Sequence, residues 1–199
     1  MHRIAVAVLA LPLLAAAAAA EPSMTSIQPD LLAVSGSFAN AWGDFDNDGD
    51  LDYAVSVRSG EVRLYRNDRG VLVSVGLAMG LPTSGGGELR GLSWGDYDGD
   101  GWIDMMVGSG TPATPSAVYR NEGGKRFVNV ADAIGLSVPG RSSRQNNWVD
   151  YDNDGDLDLY ATDRIKDNKL FRNDAGKFVQ VFADGPPTVT SSTVGACWL

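Results

Sequence analysis

The chain reads as an all-β protein built from repeated four-stranded units. Three observations predict this. A nine-residue acidic string occurs three times, at residues 44–52, 96–104 and 150–158. The text flanking each string recurs in register. The segments between turn signals are short, and those of the first unit alternate in polarity, while no stretch of ten or more residues carries a convincing helical stripe.

The first element, residues 1–20, stands apart from the fold. His2 and Arg3 supply a short positive start, Ile4 to Ala17 an apolar run, and Ala18-Ala19-Ala20 a small-residue end before Glu21. This is the pattern of a secretory signal peptide, and the interruption at Pro12 argues against a membrane anchor. The expected location is therefore secreted or periplasmic, with no membrane span after cleavage. Removing residues 1–20 removes His2, the only histidine. Cys197 is the only cysteine, so no internal disulfide can form. An exported domain without disulfides needs another stabiliser, and bound metal can supply it.

The net negative charge is local to the strings, which hold 14 of the 25 Asp and Glu residues. Outside them, the processed chain has 11 acidic against 15 basic residues. Three divalent ions would bring its net charge from −10 to −4. This distribution points to cation sites and away from nucleic acid as a partner.

The repeating unit, residues 21–199, spans about fifty residues. Its strings begin 52 and 54 residues apart. Trp42, Trp94 and Trp148 each stand two residues before the first Asp. Tyr65-Arg66-Asn67, Tyr119-Arg120-Asn121 and Phe171-Arg172-Asn173 follow the strings, and each leads to a glycine turn at Gly70, Gly124 or Gly176. Leu51, Tyr53, Val55 and Val57 alternate with polar or small residues, as a half-buried strand does. The order strand, acidic loop, strand, turn, strand, glycine turn, strand makes one β-propeller blade. Blades are expected over approximately 32–86, 87–139 and 140–186, with a partial fourth over 187–199. Trp198, fifty residues after Trp148, marks that fourth start. Propellers close with about four to eight blades, so the chain reads as an incomplete propeller, a fragment that would pair with a further propeller segment or form a homo-oligomer.

The chemistry of the strings follows from their spacing. Position 6 is glycine in all three: Gly49, Gly101 and Gly155. An EF-hand would need Glu at position 12, where Val55, Val107 and Ala161 stand. The carboxylate falls instead at position 9. Side chains from positions 1, 3, 5 and 9, one backbone carbonyl at position 7 and water give a hard-oxygen shell suited to Ca²⁺. Zinc is disfavoured because no nitrogen or sulfur ligand is near.

Taken together, W-G-D-[FY]-D-[NG]-D-G-D-L-D followed by [YF]-R-N and a glycine turn resembles the FG-GAP or VCBS repeat of integrin-alpha-like propellers. It is most similar to the cartilage acidic protein and ASPIC/UnbV group. The resemblance implies up to three Ca²⁺ ions. The implied ligands are Asp44, Asp46, Asp48, Asp50 and Asp52 in the first loop. In the second they are Asp96, Asp98, Asp100, Trp102 and Asp104, with Trp102 acting through its carbonyl. In the third they are Asp150, Asp152, Asp154, Asp156 and Asp158.

Several flanking features carry expectations of their own. The three pre-loop tryptophans should pack between blades, and Arg66, Arg120 and Arg172 should brace turns or neighbouring loops. Asn67, Asn121 and Asn173 should open turns. Gly85 to Glu88, Arg141 to Asn147 and Arg164 to Lys169 vary between repeats and read as loops that could gather on one face, against an acidic glycan or a protein. With no histidine and most aspartates committed to the loops, no catalytic constellation appears. The expected function is a non-catalytic, secreted calcium-binding scaffold for adhesion or for protein or glycan recognition. The alternatives are a fragment of a calcium-dependent polysaccharide lyase or hydrolase, and a lectin-like sugar binder.

Overall fold

The computed structural model describes residues 26–84, 86–137 and 140–181. The proposed signal peptide, Gly85, the segment 187–199, Cys197 and Trp198 lie outside them. No helix among the described residues is long and apolar enough to cross a membrane.

Three four-stranded antiparallel sheets follow one another, each a simple meander. The first holds β1 (Ser37–Gly43), β2 (Asp52–Val57), β3 (Val62–Asp68) and β4 (Val71–Ser74). The second holds β5 (Leu89–Gly95), β6 (Asp104–Ser109), β7 (Ala117–Asn121) and β8 (Phe127–Asn129). The third holds β9 (Ser143–Val149), β10 (Asp158–Asp163), β11 (Lys169–Asn173) and β12 (Phe178–Gln180). The leading strands β1, β5 and β9 lie side by side, so the sheets fan outward like blades of a propeller that is not closed. The acidic strings join the first two strands of each blade. They share one end of the molecule with the β3–β4, β7–β8 and β11–β12 turns.

The blades pack face to face, which explains a departure from the alternation in the sequence. β2 is buried along nearly its whole length on both faces. Ala54, Val62 and Leu64 face the second blade and meet Met105, Val107, Tyr119 and Phe127. Met106 and Val118 on the other face of that blade meet Leu159, Ala161, Phe171 and Phe178 of the third. Leu51 precedes the strand and is 57% exposed. The connectors fill these layers too: Met79 and Leu81 enter the first core, Ile134 and Leu136 the second. The second connector includes α2 (Ala131–Ile134), which ends at Gly135 with φ of 88°, a left-handed value that glycine adopts without strain.

The outer face of the first blade is covered from within the chain. A short turn of helix, α1 (Pro29–Leu32), and the residues after it place Leu31, Leu32 and Val34 on Val55, Val57, Tyr65 and Leu72. Gln28 fixes this strap by donating to the Leu72 carbonyl at 2.9 Å and accepting from the Leu72 N–H at 2.7 Å. Capping of a terminal repeat is what a stack of blades needs to remain soluble. Neither four-residue helix is long enough to leave a periodic signal in the sequence.

The tryptophans divide. Trp94 lies against Gly43, and Trp148 against Gly95; a methyl group on Gly95 would fall 2.6 Å from Trp148 Cδ1. Both rings pack in the core between blades, as expected from their recurrence. Trp42 does not. It has no preceding blade among the described residues, packs tilted against Tyr53 at 4.7 Å between ring centroids, and stays 51% exposed.

The segment from Arg141 to Asn147 is also corrected. It is not a loop: Ser143 onward forms the inner strand β9, hydrogen-bonded to β10. Its polar side chains are tolerated because several find partners at the blade interface, such as Ser143 Oγ donating to Asn146 Oδ1 at 2.7 Å.

Candidate metal centre

Each acidic string folds back on its own backbone in the same way. In the first, the Asp44 carboxylate accepts from the N–H groups of Asp48 at 3.1 Å and Gly49 at 2.9 Å. Asp48 accepts from Asp50 N–H at 2.9 Å. Asp52 accepts from Phe45 N–H at 2.9 Å and, across the hairpin, from Asn67 N–H at 2.8 Å. The second loop repeats the set with Asp96, Asp100 and Asp104. The third repeats it with Asp150, Asp154 and Asp158. The tight turn needs a left-handed residue, and Gly49 (φ 94°), Gly101 (φ 88°) and Gly155 (φ 99°) provide it.

Three carboxylates converge in every loop, with ligand-capable oxygens within 4.8 Å of one another. They are Asp44, Asp46 and Asp48 in the first, Asp96, Asp98 and Asp104 in the second, and Asp150, Asp152 and Asp158 in the third. The remaining sequence candidates sit around these groups. Asp50 accepts from Arg69 N–H at 2.9 Å. Asp100 and Asp154 close the turn at position 5, and Asp156 follows Asp154 in it. Trp102 donates its N–H to Asp100 at 2.9 Å, and its ring lies over Gly124.

The electrostatics are those of a cation site. Asp52, Asp104 and Asp158 are fully buried. Burial raises Asp52 to about 6, against the opposing pull of two N–H groups, with the charges of Asp46 and Asp48 adding to the rise. Burial, with Asp98 and Asp100 adding, raises Asp104 to about 7. Asp158, Asp46 and Asp98 are raised for the same first reason. The chain thus holds acids where water alone stabilises their charge poorly. Asp46 Oδ1 is buried and has no hydrogen-bond partner. An orphaned carboxylate oxygen beside two other carboxylates is a donor set that fits a divalent ion, and an all-oxygen set fits a hard one.

Asn121 and Asn173 do more than open turns. Each accepts the N–H of the turn glycine, Gly124 at 2.9 Å and Gly176 at 2.7 Å. Each also reaches into the preceding blade. Asn121 Nδ2 donates to the Phe45 carbonyl at 2.8 Å, and Asn173 Nδ2 to the Tyr97 carbonyl at 2.8 Å. Those carbonyls belong to position 2 of the previous acidic loop. Phe45 and Tyr97 themselves enter the core of the following blade. Recurrence of Asn marked these residues, but only the stacking of blades reveals the second partner. The arginines pair locally instead: Arg66 with Asp68 at 2.7 Å, Arg120 with Glu122 at 2.9 Å and Arg172 with Asp174 at 2.7 Å.

A stack of antiparallel four-stranded blades, each headed by a loop of converging carboxylates, defines a repeat protein with metal-capable loops. The FG-GAP-like repeat family matches residues 44–107 and again residues 96–161. Together the matches cover more than half of the chain, and the chain belongs to that family. No curated protein matches the chain significantly.

Proposed function

We propose that this is a secreted, non-catalytic calcium-binding scaffold whose blades present surfaces for adhesion or recognition of a protein or glycan. Within the family, the W-x-D-[FY]-D string and the [YF]-R-N turn support placing it with the cartilage acidic protein and ASPIC/UnbV group. The observation that carries the calcium reading is that three carboxylates converge in each loop, from positions 1, 3 and 5 in the first and 1, 3 and 9 in the other two, with Asp46 Oδ1 left unpartnered in the first copy. Bound Ca²⁺ would neutralise the converging charges and pin the hairpin between the first two strands of each blade.

Export is supported by the pattern of residues 1–20, and it would place the loops where calcium is plentiful. Extracellular calcium modules bind at about 10⁻⁴ to 10⁻³ M. At roughly 100 times Kd, each site would add about 2.7 kcal/mol. For a domain of ~150 residues that is on the order of 5–10 °C per site. The test is thermal unfolding in EDTA and after calcium is restored, with magnesium as comparison. A lower melting temperature in EDTA that calcium recovers and magnesium recovers less is the expected result. Superimposable curves would end the calcium reading.

A further inference from the structure

The end of the molecule opposite the acidic loops carries a second charged cluster, of the other sign. Among the described residues, the acid that pairs with this cluster is Glu88: Arg90 pairs with it closely and Arg58 approaches it at 3.9 Å. Arg90 also lies over the Phe38 ring, 3.8 Å from its centroid, a cation–π contact. The backbone of Arg144 on β9 packs directly against Gly91, the neighbour of Arg90 on β5. Arg144 makes no ion pair among the described residues, and its Nε is buried without a hydrogen-bond partner. Arg164 approaches from the β10–β11 loop, whose backbone is tied to the start of β9 by Arg164 N–H donating to the Ser142 carbonyl at 3.0 Å. Arg144 is pushed below the ordinary arginine value, first by burial and then by repulsion from Arg90 and Arg164, with Glu88 alone opposing.

These groups differ from the other arginines at this end. Arg141 is buried but satisfied, held 3.0 Å from Asp163 and donating to the Asp167 carbonyl. Arg63 is paired with Glu61 at 2.9 Å. Among the described residues, the ion pairs of Arg58, Arg90, Arg144 and Arg164 go to Glu88 alone, so the cluster has excess positive charge and one buried donor left over. Such an excess is costly unless anions neutralise it, and planar guanidinium groups match carboxylate and sulfate oxygens in paired hydrogen bonds.

We infer that Arg144, flanked by Arg90 and Arg164, forms a binding site for an oxyanion, a sulfate or carboxylate group carried by an acidic polysaccharide. The extracytoplasmic setting proposed above favours a polysaccharide over a phosphorylated carrier, and in that respect the inference rests on that reading. It is independent of the calcium loops, which lie at the other end. Three cations drawn from β5, β9 and the β10–β11 loop suit a ligand whose anionic groups repeat at short intervals.

The test uses the full chain in calcium and fluorescently labelled sulfated dextran, read by anisotropy. Uncharged dextran, inorganic sulfate and polyglutamate serve as competitors. Binding of sulfated dextran should weaken as salt rises. R144Q, which removes a charge-assisted donor, should lose affinity about tenfold or more. R164Q changes an exposed side chain and should weaken binding without altering the melting temperature, so a folding defect in R144Q does not decide the matter. Unlabelled sulfated dextran should compete better than polyglutamate, and inorganic sulfate should compete only at far higher concentration. Unchanged affinity in R164Q and in a folded R144Q would overturn the site. Stronger competition by polyglutamate, or by inorganic sulfate at equal anion concentration, would overturn the polysaccharide as its ligand. An EDTA effect on melting with no effect of either arginine substitution would sink this inference and leave the calcium reading standing.

Discussion

Asp104 belongs both to the framework of the fold and to the proposed ion site. It is fully buried, yet its two oxygens accept from Tyr97 and Asn121 N–H groups, tying loop start to hairpin partner. Asp104→Asn should keep the shape but replace one acceptor by a donor facing an N–H, costing about 1–3 kcal/mol in metal-free protein. Calcium stabilisation should also fall by one site, and calorimetric titration of the variant would count the sites remaining. The tryptophans offer a sharper contrast. Trp148 is packed against Gly95, Tyr97 and Phe178, whereas Trp42 is half exposed. Trp148→Ala should destabilise by about 3–5 kcal/mol, and Trp42→Ala by clearly less. Equal losses in urea unfolding would show that Trp42 is covered in solution.

At the scale of the element, the acidic loop links stability to pH in a way that calcium should abolish. The raised values of Asp52, about 6, and Asp104, about 7, lie above the ~3.9 of an unfolded aspartate. The metal-free folded chain therefore binds more protons than the unfolded chain between about pH 4 and 7, and its stability falls as pH rises through that window. With calcium bound, the same carboxylates are held ionised in the folded chain, as they are in the unfolded chain above about pH 5, so the fall in stability should disappear. Melting curves at pH 5 and pH 8 should show a loss of stability in EDTA that is absent in calcium. Parallel slopes would mean that these carboxylates are not the ion's ligands. Blade seating gives a second test. A methyl group on Gly95 would fall 2.6 Å from Trp148, so Gly95→Ala should cost about 1–3 kcal/mol by overpacking.

At the scale of the molecule, charge is sorted to two ends, with carboxylate loops at one and the Arg58, Arg90, Arg144 and Arg164 cluster at the other. The repeat made most of this architecture legible. Period, glycine turns and short strands are local properties that a single unit spells out, and three copies confirm one another. What one unit cannot spell out is what touches it. The strap from Gln28 to Val34 has no repeat to announce it, and it covers a face that a sequence-level reading leaves half-buried. The polar run Arg141 to Asn147 looks like a loop until β5 and β10 supply the neighbours of its part from Ser143 onward. The acidic groups themselves were visible as text, but the burial of Asp52, Asp104 and Asp158 depends on the hairpin closing over them.

The hydrogen bond from each turn asparagine to the loop of the blade before it makes the blades unequal hosts. The loops beginning at Asp44 and Asp96 are each roofed by a neighbour, through Asn121 and Asn173. The loop beginning at Asp150 has no such roof among the described residues. Linkage is reciprocal: whatever a neighbour adds to ion affinity, the ion returns to the neighbour's seating. Filling the first two loops should therefore stiffen the joints between blades. Asn121→Ala and Asn173→Ala should then weaken calcium uptake by the first two loops, as calorimetric titration would show.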